Sequence, residues 1–272
     1  MPDQSESSLK KYFKVAVLVF HGVDILDFAG PMEIFSHVSH NQNPDAPDRV
    51  YRFSVIGRDD EIRAASCLNI KTDIAIDHIA GIDSNCVEPF RALADFDMLI
   101  VPGGPPSIIM PLLDRESPEM RLIRAFSSLP SRGKGWLQDA NITATTLSEQ
   151  GQPRCIFSVC TGAFFLGSLG LLADIPCTTH HRALQPLSRI CGLAAPSHIL
   201  EKRYVDGGLC RSTIAQPDSL RVVTAGGISS GLDASLWVIA QQMGPDVSKF
   251  VARVMEYDGQ WEEDRPRGDR KF

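Results

Sequence analysis

The sequence predicts an α/β fold: one doubly wound, mostly parallel sheet with helices on both faces, of the flavodoxin-like kind. Three observations carry this. Short apolar runs alternate with segments of helical spacing along most of the 272 residues. Runs such as "FKVAVLVF" are apolar at nearly every position, as strands buried on both faces are. The middle run leads into a glycine pair at 103–104, as a strand ending at a binding edge does.

The elements follow in order. "FKVAVLVF" (13–20) is a central strand ended by His21-Gly22. After the loop "HGVDILDFAG", Pro31 fits a first helical turn and "MEIFSHVSH" continues at helical spacing. "VYRFSVIG" (50–57) and "NIKTDIAI" (69–76) alternate as strands, and "DFDMLIVPGG" (95–104) is a buried strand running into glycines. "MRLIRAF" (120–126) is a helix whose start is marked by the serine and proline of "RESPE". The polar stretch 127–153 is longer than most connections and reads as a surface insertion. "RCIFSV" and "CTGAFFLGSLGLL" restore strand, turn and helix. "LCRSTI" and "LRVVTAGG" supply late strands, and "GLDASLWVIAQQM" with "DVSKFVARVMEY" forms two closing helices. One domain is expected over 13–257, between a disordered tail at 1–12 and a charged tail at 258–272.

Composition narrows the function classes. A net charge of -6 without a basic cluster argues against nucleic acid or an anionic membrane as partner, leaving small molecules or proteins. The polar start and the lack of a long apolar run predict neither a signal peptide nor a membrane span, so the expected location is the cytoplasm. Seven cysteines without a CxxC pair suggest no disulfide framework and no structural metal. Cys67, Cys86, Cys155, Cys177, Cys191 and Cys210 read as small buried or half-buried residues.

Cys160 differs in context. It stands between a strand and a helix, where unpaired amides and the helix dipole favour thiolate and are expected to lower its pKa. In a doubly wound sheet the strand ends beyond which ligands bind would gather Asp27, Gly103-Gly104 and Cys160. The glycine backbone could stabilise an oxyanion, and Asp27 could donate and recover a proton beside the thiol. Asp24 better fits helix capping. His180, twenty residues after Cys160, could pair with the thiolate or serve structurally, and His181 would point elsewhere in an extended segment. "GISSG" (227–231) matches a serine elbow, yet no histidine follows Ser229, so it reads as a tight turn with Asp233 hydrogen-bonding near the next helix.

Taken together, "LDFAGP", "IVPGG", "VCTGAFFLG", "TTHH" and "TAGGISSGLD" resemble the DJ-1/PfpI superfamily of the class I glutamine-amidotransferase-like fold. Within it they look most like isonitrile hydratases and the similar domain of AraC-type regulators. The resemblance implies Cys160 as elbow nucleophile and Asp27 as the acid that hydrogen-bonds it. It implies that Thr161 supplies an amide which, with that of Gly104 in the Gly103-Gly104 pair, forms the oxyanion pocket. His180 matches a histidine whose role varies among subfamilies. His181 replaces a tryptophan common at that place, and His21-Gly22 shapes the first loop differently.

The implied activity is hydration of an isonitrile to an N-substituted formamide, by a homodimer acting on a small molecule without cofactor or metal. Glyoxalase or deglycase-like chemistry on 2-oxoaldehydes, using His180 as well, is the second expectation. A redox-sensing or chaperone-like stress protein is the third. The regulators carry a DNA-binding region of roughly a hundred residues after this domain, and only a short tail stands here.

Overall fold

The structure is a computed structural model that describes residues 10–41, 43–79, 89–132, 151–259 and 261. The N-terminal tail through residue 9, Cys86, the bulk of the expected insertion and most of the C-terminal tail lie outside the described residues. In chain order the first half comprises β1 (Phe13–Leu18), α1 (Ile25–Ser36), β2 (Tyr51–Gly57), β3 (Glu61–Arg63), β4 (Asn69–Lys71), β5 (Ile74–Ala75), α2 (Ile76–Ile79), α3 (Pro89–Ala94), β6 (Met98–Val101), α4 (Pro106–Leu112) and α5 (Pro118–Ser127). The second comprises β7 (Arg154–Val159), α6 (Ala163–Ser168), β8 (Pro176–Cys177), α7 (Leu184–Ala194), β9 (His198–Ile199), β10 (Tyr204–Leu209), β11 (Leu220–Ala225), α8 (Ser230–Met243) and α9 (Pro245–Val254).

The main sheet has the order β10-β11-β7-β6-β1-β2-β5. Every neighbouring pair is parallel except β10 with β11. The chain leaves β1 towards β2 and β5, then returns on the other side of β1 as β6, so the strand order reverses between β1 and β6. A crevice beyond the carboxyl ends of these strands is where such sheets bind ligands. The sheet's centre is dry: Val15–Val19 and Leu99–Val101 are fully buried, as are Ile156 and Phe157. Truncating Phe157 to alanine would cost about 3–5 kcal/mol.

Four sequence expectations are corrected. "NIKTDIAI" is two strands: Thr72 donates its hydroxyl to Asp59 C=O at 2.9 Å and its amide to Asp60 C=O at 3.0 Å, which turns the chain from the β3/β4 hairpin into the main sheet. Helix α1 starts at Ile25, six residues before Pro31, so Asp27 sits in its first turn rather than in a loop. Pro31 lies inside this helix, and its missing N–H leaves the Asp27 carbonyl without a helical donor. The edge strand expected over "LCRSTI" instead ends at Leu209, where that stretch begins, and runs through Gly207-Gly208. A bulge at Asp206/Gly208, with Gly208 at φ 71°, accommodates them, and Arg221 Nε donates to Asp206 at 2.9 Å. Cys67 is exposed, at φ 66° in the turn between β3 and β4.

The expected start of α5 stands as read. Ser117 caps α5, its hydroxyl oxygen accepting the Met120 amide at 3.2 Å, ahead of Pro118 in the first helical position. Arg132 and Gln152, on either side of residues 133–150, form an antiparallel bridge. Among the described residues no helix is long and apolar enough to cross a membrane.

Candidate active site

β7 ends in extended backbone at Val159, and Cys160 then turns to φ 58°. A left-handed non-glycine residue costs about 1–2 kcal/mol and persists only where its surroundings fix it. Here both peptide groups are fixed: the Cys160 amide donates to Gly226 C=O at 2.8 Å, and Thr179 Oγ1 donates to Cys160 C=O at 2.6 Å. Gly162, two residues on, is required by close approach, because a Cβ there would lie 2.1 Å from Val101 O. The turn over Cys160–Gly162 is 3-10, and the helix that follows spans only Ala163–Ser168.

Asp27 is fully buried. Its Oδ2 accepts the Gly103 N–H at 3.0 Å, whereas Oδ1 has no hydrogen-bond partner among the described residues. Thr161 Oγ1 accepts the Gly104 N–H at 2.9 Å and donates to Gly104 C=O at 2.7 Å. The Gly103 and Gly104 amides are thus already engaged. The amides that face the Cys160 sulfur belong to Thr161 and to Ile228. Ile228 is itself left-handed, at φ 35°, in the glycine turn before α8. The Gly104 amide, expected to act with that of Thr161, is engaged by the Thr161 hydroxyl, and the Ile228 amide faces the sulfur beside that of Thr161.

Sequence reasoning missed Asp24. It occupies the N-cap position of α1 but makes no side-chain capping bond. Instead one carboxylate oxygen each from Asp24 and Asp27 and the Cys160 sulfur gather within 4.8 Å of one another. The signal was present: aspartates three apart at a helix start project to one side.

His180 lies outside that group. Its Nδ1 accepts the Arg182 amide at 3.2 Å, capping a short 3-10 turn over His181–Ala183. Its ring packs on Gly227, where a Cβ would lie 2.5 Å from Cδ2, so it borders the turn that presents Ile228. His181 does not point away: its ring stacks on that of His180 at 4.4 Å between centroids, because the backbone turns there rather than running extended. Asp233 accepts from Arg203 Nε and from the Tyr257 hydroxyl at 3.2 Å, which fastens α8 behind the glycine turn.

The electrostatics reverse the expectation for the thiol. Burial, then the Asp27 carboxylate, push Cys160 up to about 12, with Asp24 adding to the effect and the Thr161 and Ile228 amides only partly opposing it. The turn's dipole is too short to compensate. Burial also pushes Asp27 up to about 7, against the lowering influence of the Gly103 N–H, while the charge of Asp24 raises it further. Burial raises Asp24 too. Near neutral pH the resting pair is a thiol beside a carboxyl that is part protonated and part ionised. Such an arrangement makes thiolate only by handing a proton to Asp27, and can hand that proton on.

Fold and site define a class: α/β proteins with a buried cysteine on a left-handed strand-to-helix elbow and a buried acid reaching it from the first helix. The fold is that of DJ-1/PfpI proteins. Among solved structures it resembles a ThiJ/PfpI family protein from Pseudomonas syringae, with TM-score 0.60 and 19% identity over 96% of this chain and 83% of that one. An AraC family transcriptional regulator from Pseudomonas putida gives TM-score 0.56 and 16% identity, covering 89% of this chain and 99% of that one. Schizosaccharomyces pombe DJ-1 gives TM-score 0.56 and 15% identity over 89% and 98%. In sequence, the uncharacterized protein in cpoL 5'region of Streptomyces lividans is 31% identical over 178 residues, 65% of this chain and 94% of that protein. The isonitrile hydratase of Pseudomonas putida is 29% identical over 110 residues, 40% of this chain and 41% of that protein. No protein-family model matches the chain.

Proposed function

We propose that the protein is a cysteine-dependent hydro-lyase that adds water to an isonitrile, R–N≡C, giving the N-substituted formamide. The observation that carries this reading is the buried Cys160 thiol, on the strained elbow at the sheet's carboxyl edge, beside the buried carboxyl of Asp27. The partial match to an isonitrile hydratase supports it.

The terminal isonitrile carbon accepts both a nucleophile and a proton, which is the pair of services this site can supply. Asp27 takes the Cys160 proton as sulfur bonds to that carbon, then delivers it to the same carbon, leaving a thioimidate, R–N=CH–S–Cys160. Water next adds to the thioimidate carbon. Asp27 takes the water proton and the imine nitrogen receives one, giving R–NH–CH(OH)–S–Cys160. The C–S bond then breaks as the hydroxyl proton passes through Asp27 to sulfur, releasing R–NH–CHO and the thiol. The Thr161 and Ile228 amides hold negative charge on sulfur while it forms and leaves. An Asp27 pKa of about 7 suits a group that must accept and return a proton at each step.

Two rivals are less well supported. Chemistry on 2-oxoaldehydes that depends on His180 would use that ring as a base, whereas its Nδ1 accepts the Arg182 amide. A peroxide sensor works best with a thiol of lowered pKa, whereas here burial and two carboxylates raise it. The test is formamide production from a panel of small isonitriles, with methylglyoxal consumption alongside. Isonitrile turnover supports the hydratase reading; methylglyoxal turnover without it overturns that reading.

A further inference from the structure

We propose that Thr179 is a positioning residue of the site: its hydroxyl grips the Cys160 carbonyl and thereby aims the Thr161 amide at the Cys160 sulfur. Its effect on turnover rests on the hydratase reading, whereas its effect on the thiol does not. Thr179 is fully buried, and its Oγ1 donates to Cys160 C=O at 2.6 Å. That carbonyl and the Thr161 N–H are opposite ends of one planar trans peptide, so they turn together. A rotation that swings the carbonyl away from the hydroxyl also swings the Thr161 N–H away from the sulfur it faces.

The peptide needs such a hold. Cys160 is at φ 58°, a conformation that its own Cβ disfavours. Within the turn, the Cys160 carbonyl accepts from the Ala163 amide, which is shared with Thr161 C=O, so the turn by itself holds the plane loosely. The hydroxyl comes from outside the turn, on a segment fastened to its neighbours. The Thr178 amide donates to Thr224 Oγ1 on β11 at 2.9 Å, and the Thr178 hydroxyl donates to Lys202 C=O at 3.2 Å. Donation to the Cys160 carbonyl also polarises the peptide, which makes the Thr161 N–H a stronger donor to negative charge on sulfur, because linked hydrogen bonds reinforce one another. Thr179 thus acts through the Cys160–Thr161 peptide rather than on the reacting atoms.

The test compares wild type, Thr179→Val and Thr179→Ser, with far-UV circular dichroism confirming the fold. Thr179→Ala replaces the valine variant if that one misfolds. The first readout needs no substrate: the rate of iodoacetamide labelling of the Cys160 peptide, followed by mass spectrometry from pH 8 to pH 10. Without the hydroxyl the Thr161 amide stabilises thiolate less, so labelling of Thr179→Val should be at least ~3-fold slower at each pH. Thr179→Ser keeps the hydroxyl and should label like wild type, although its missing methyl lowers Tm. The second readout is isonitrile turnover, where kcat should fall about 10-fold in Thr179→Val at little changed KM and recover in Thr179→Ser. A purely structural threonine would lower Tm in both variants and leave labelling and kcat alone. Wild-type labelling by Thr179→Val would overturn the proposal, as would a serine variant that labels as slowly as the valine one. If no form of the protein, wild type included, turns over isonitriles, the hydratase reading falls and the labelling comparison alone decides the role of Thr179.

Discussion

Asp27 and Gly103 are joined by a 3.0 Å hydrogen bond from the glycine amide to Oδ2. The end of β6 thereby orients the acid carried by the first turn of α1, which lies beside the Cys160 sulfur. The predictions below follow from that arrangement.

Replacing Asp27 with asparagine keeps the size of the side chain and removes its acid–base capacity. Steady-state kinetics on an accepted isonitrile should show kcat/KM lower by about 10²- to 10⁴-fold. A variant within threefold of wild type would remove Asp27 from the mechanism.

The same substitution should make the thiol easier to ionise, because the Asp27 carboxylate is the second largest cause of its raised pKa. Iodoacetamide labelling of wild-type Cys160 should still be climbing at pH 10, whereas in Asp27→Asn the curve moves to lower pH. Turnover should move the opposite way, falling as pH drops through about 7 and the Asp27 base is protonated. Coincident labelling curves would mean that the two groups do not interact.

Stability should report the same shift. The folded-state pKa of Asp27, about 7, lies above that of an unfolded aspartate. The native state therefore binds the extra proton between these values. Its contribution is fully present below the unfolded pKa and is lost as pH rises through about 7. Thermal melts should find Asp27→Asn gaining on wild type from pH 4 to pH 8, by several degrees in Tm. A constant difference across that range would contradict the burial argument.

Thr161→Val removes a hydroxyl that both accepts from and donates to Gly104. It leaves a buried amide and carbonyl unpaired, a cost of about 1–3 kcal/mol each. Lower thermal stability together with reduced kcat is expected. Unchanged Tm would show that the Gly104 loop finds other partners.

The parts of this site readable from sequence were those fixed by the order of elements. Cys160, Asp27 and Gly103-Gly104 each follow a buried strand, and a parallel sheet brings such positions to one edge. Asp24 was hidden because an aspartate before a helix already has an ordinary explanation in capping. Ile228 was hidden because its contribution is a backbone amide, and the left-handed conformation that aims it leaves no mark on an isoleucine. The direction of the thiol's shift failed for a related reason: position at a turn is visible in sequence, whereas burial beside two carboxylates is a property of the packed molecule. The β10 edge strand lies before "LCRSTI" because a bulge opposite β11 carries it through Gly207-Gly208, a pair without the apolar pattern that marks the other strands.

The most direct test of the central claim is intact-mass and peptide mass spectrometry of wild-type protein quenched during isonitrile turnover, with Cys160→Ala alongside. The account predicts an adduct with the full mass of the isonitrile on the Cys160 peptide, and a folded alanine variant without adduct or formamide. Formamide produced at the wild-type rate by Cys160→Ala would contradict it.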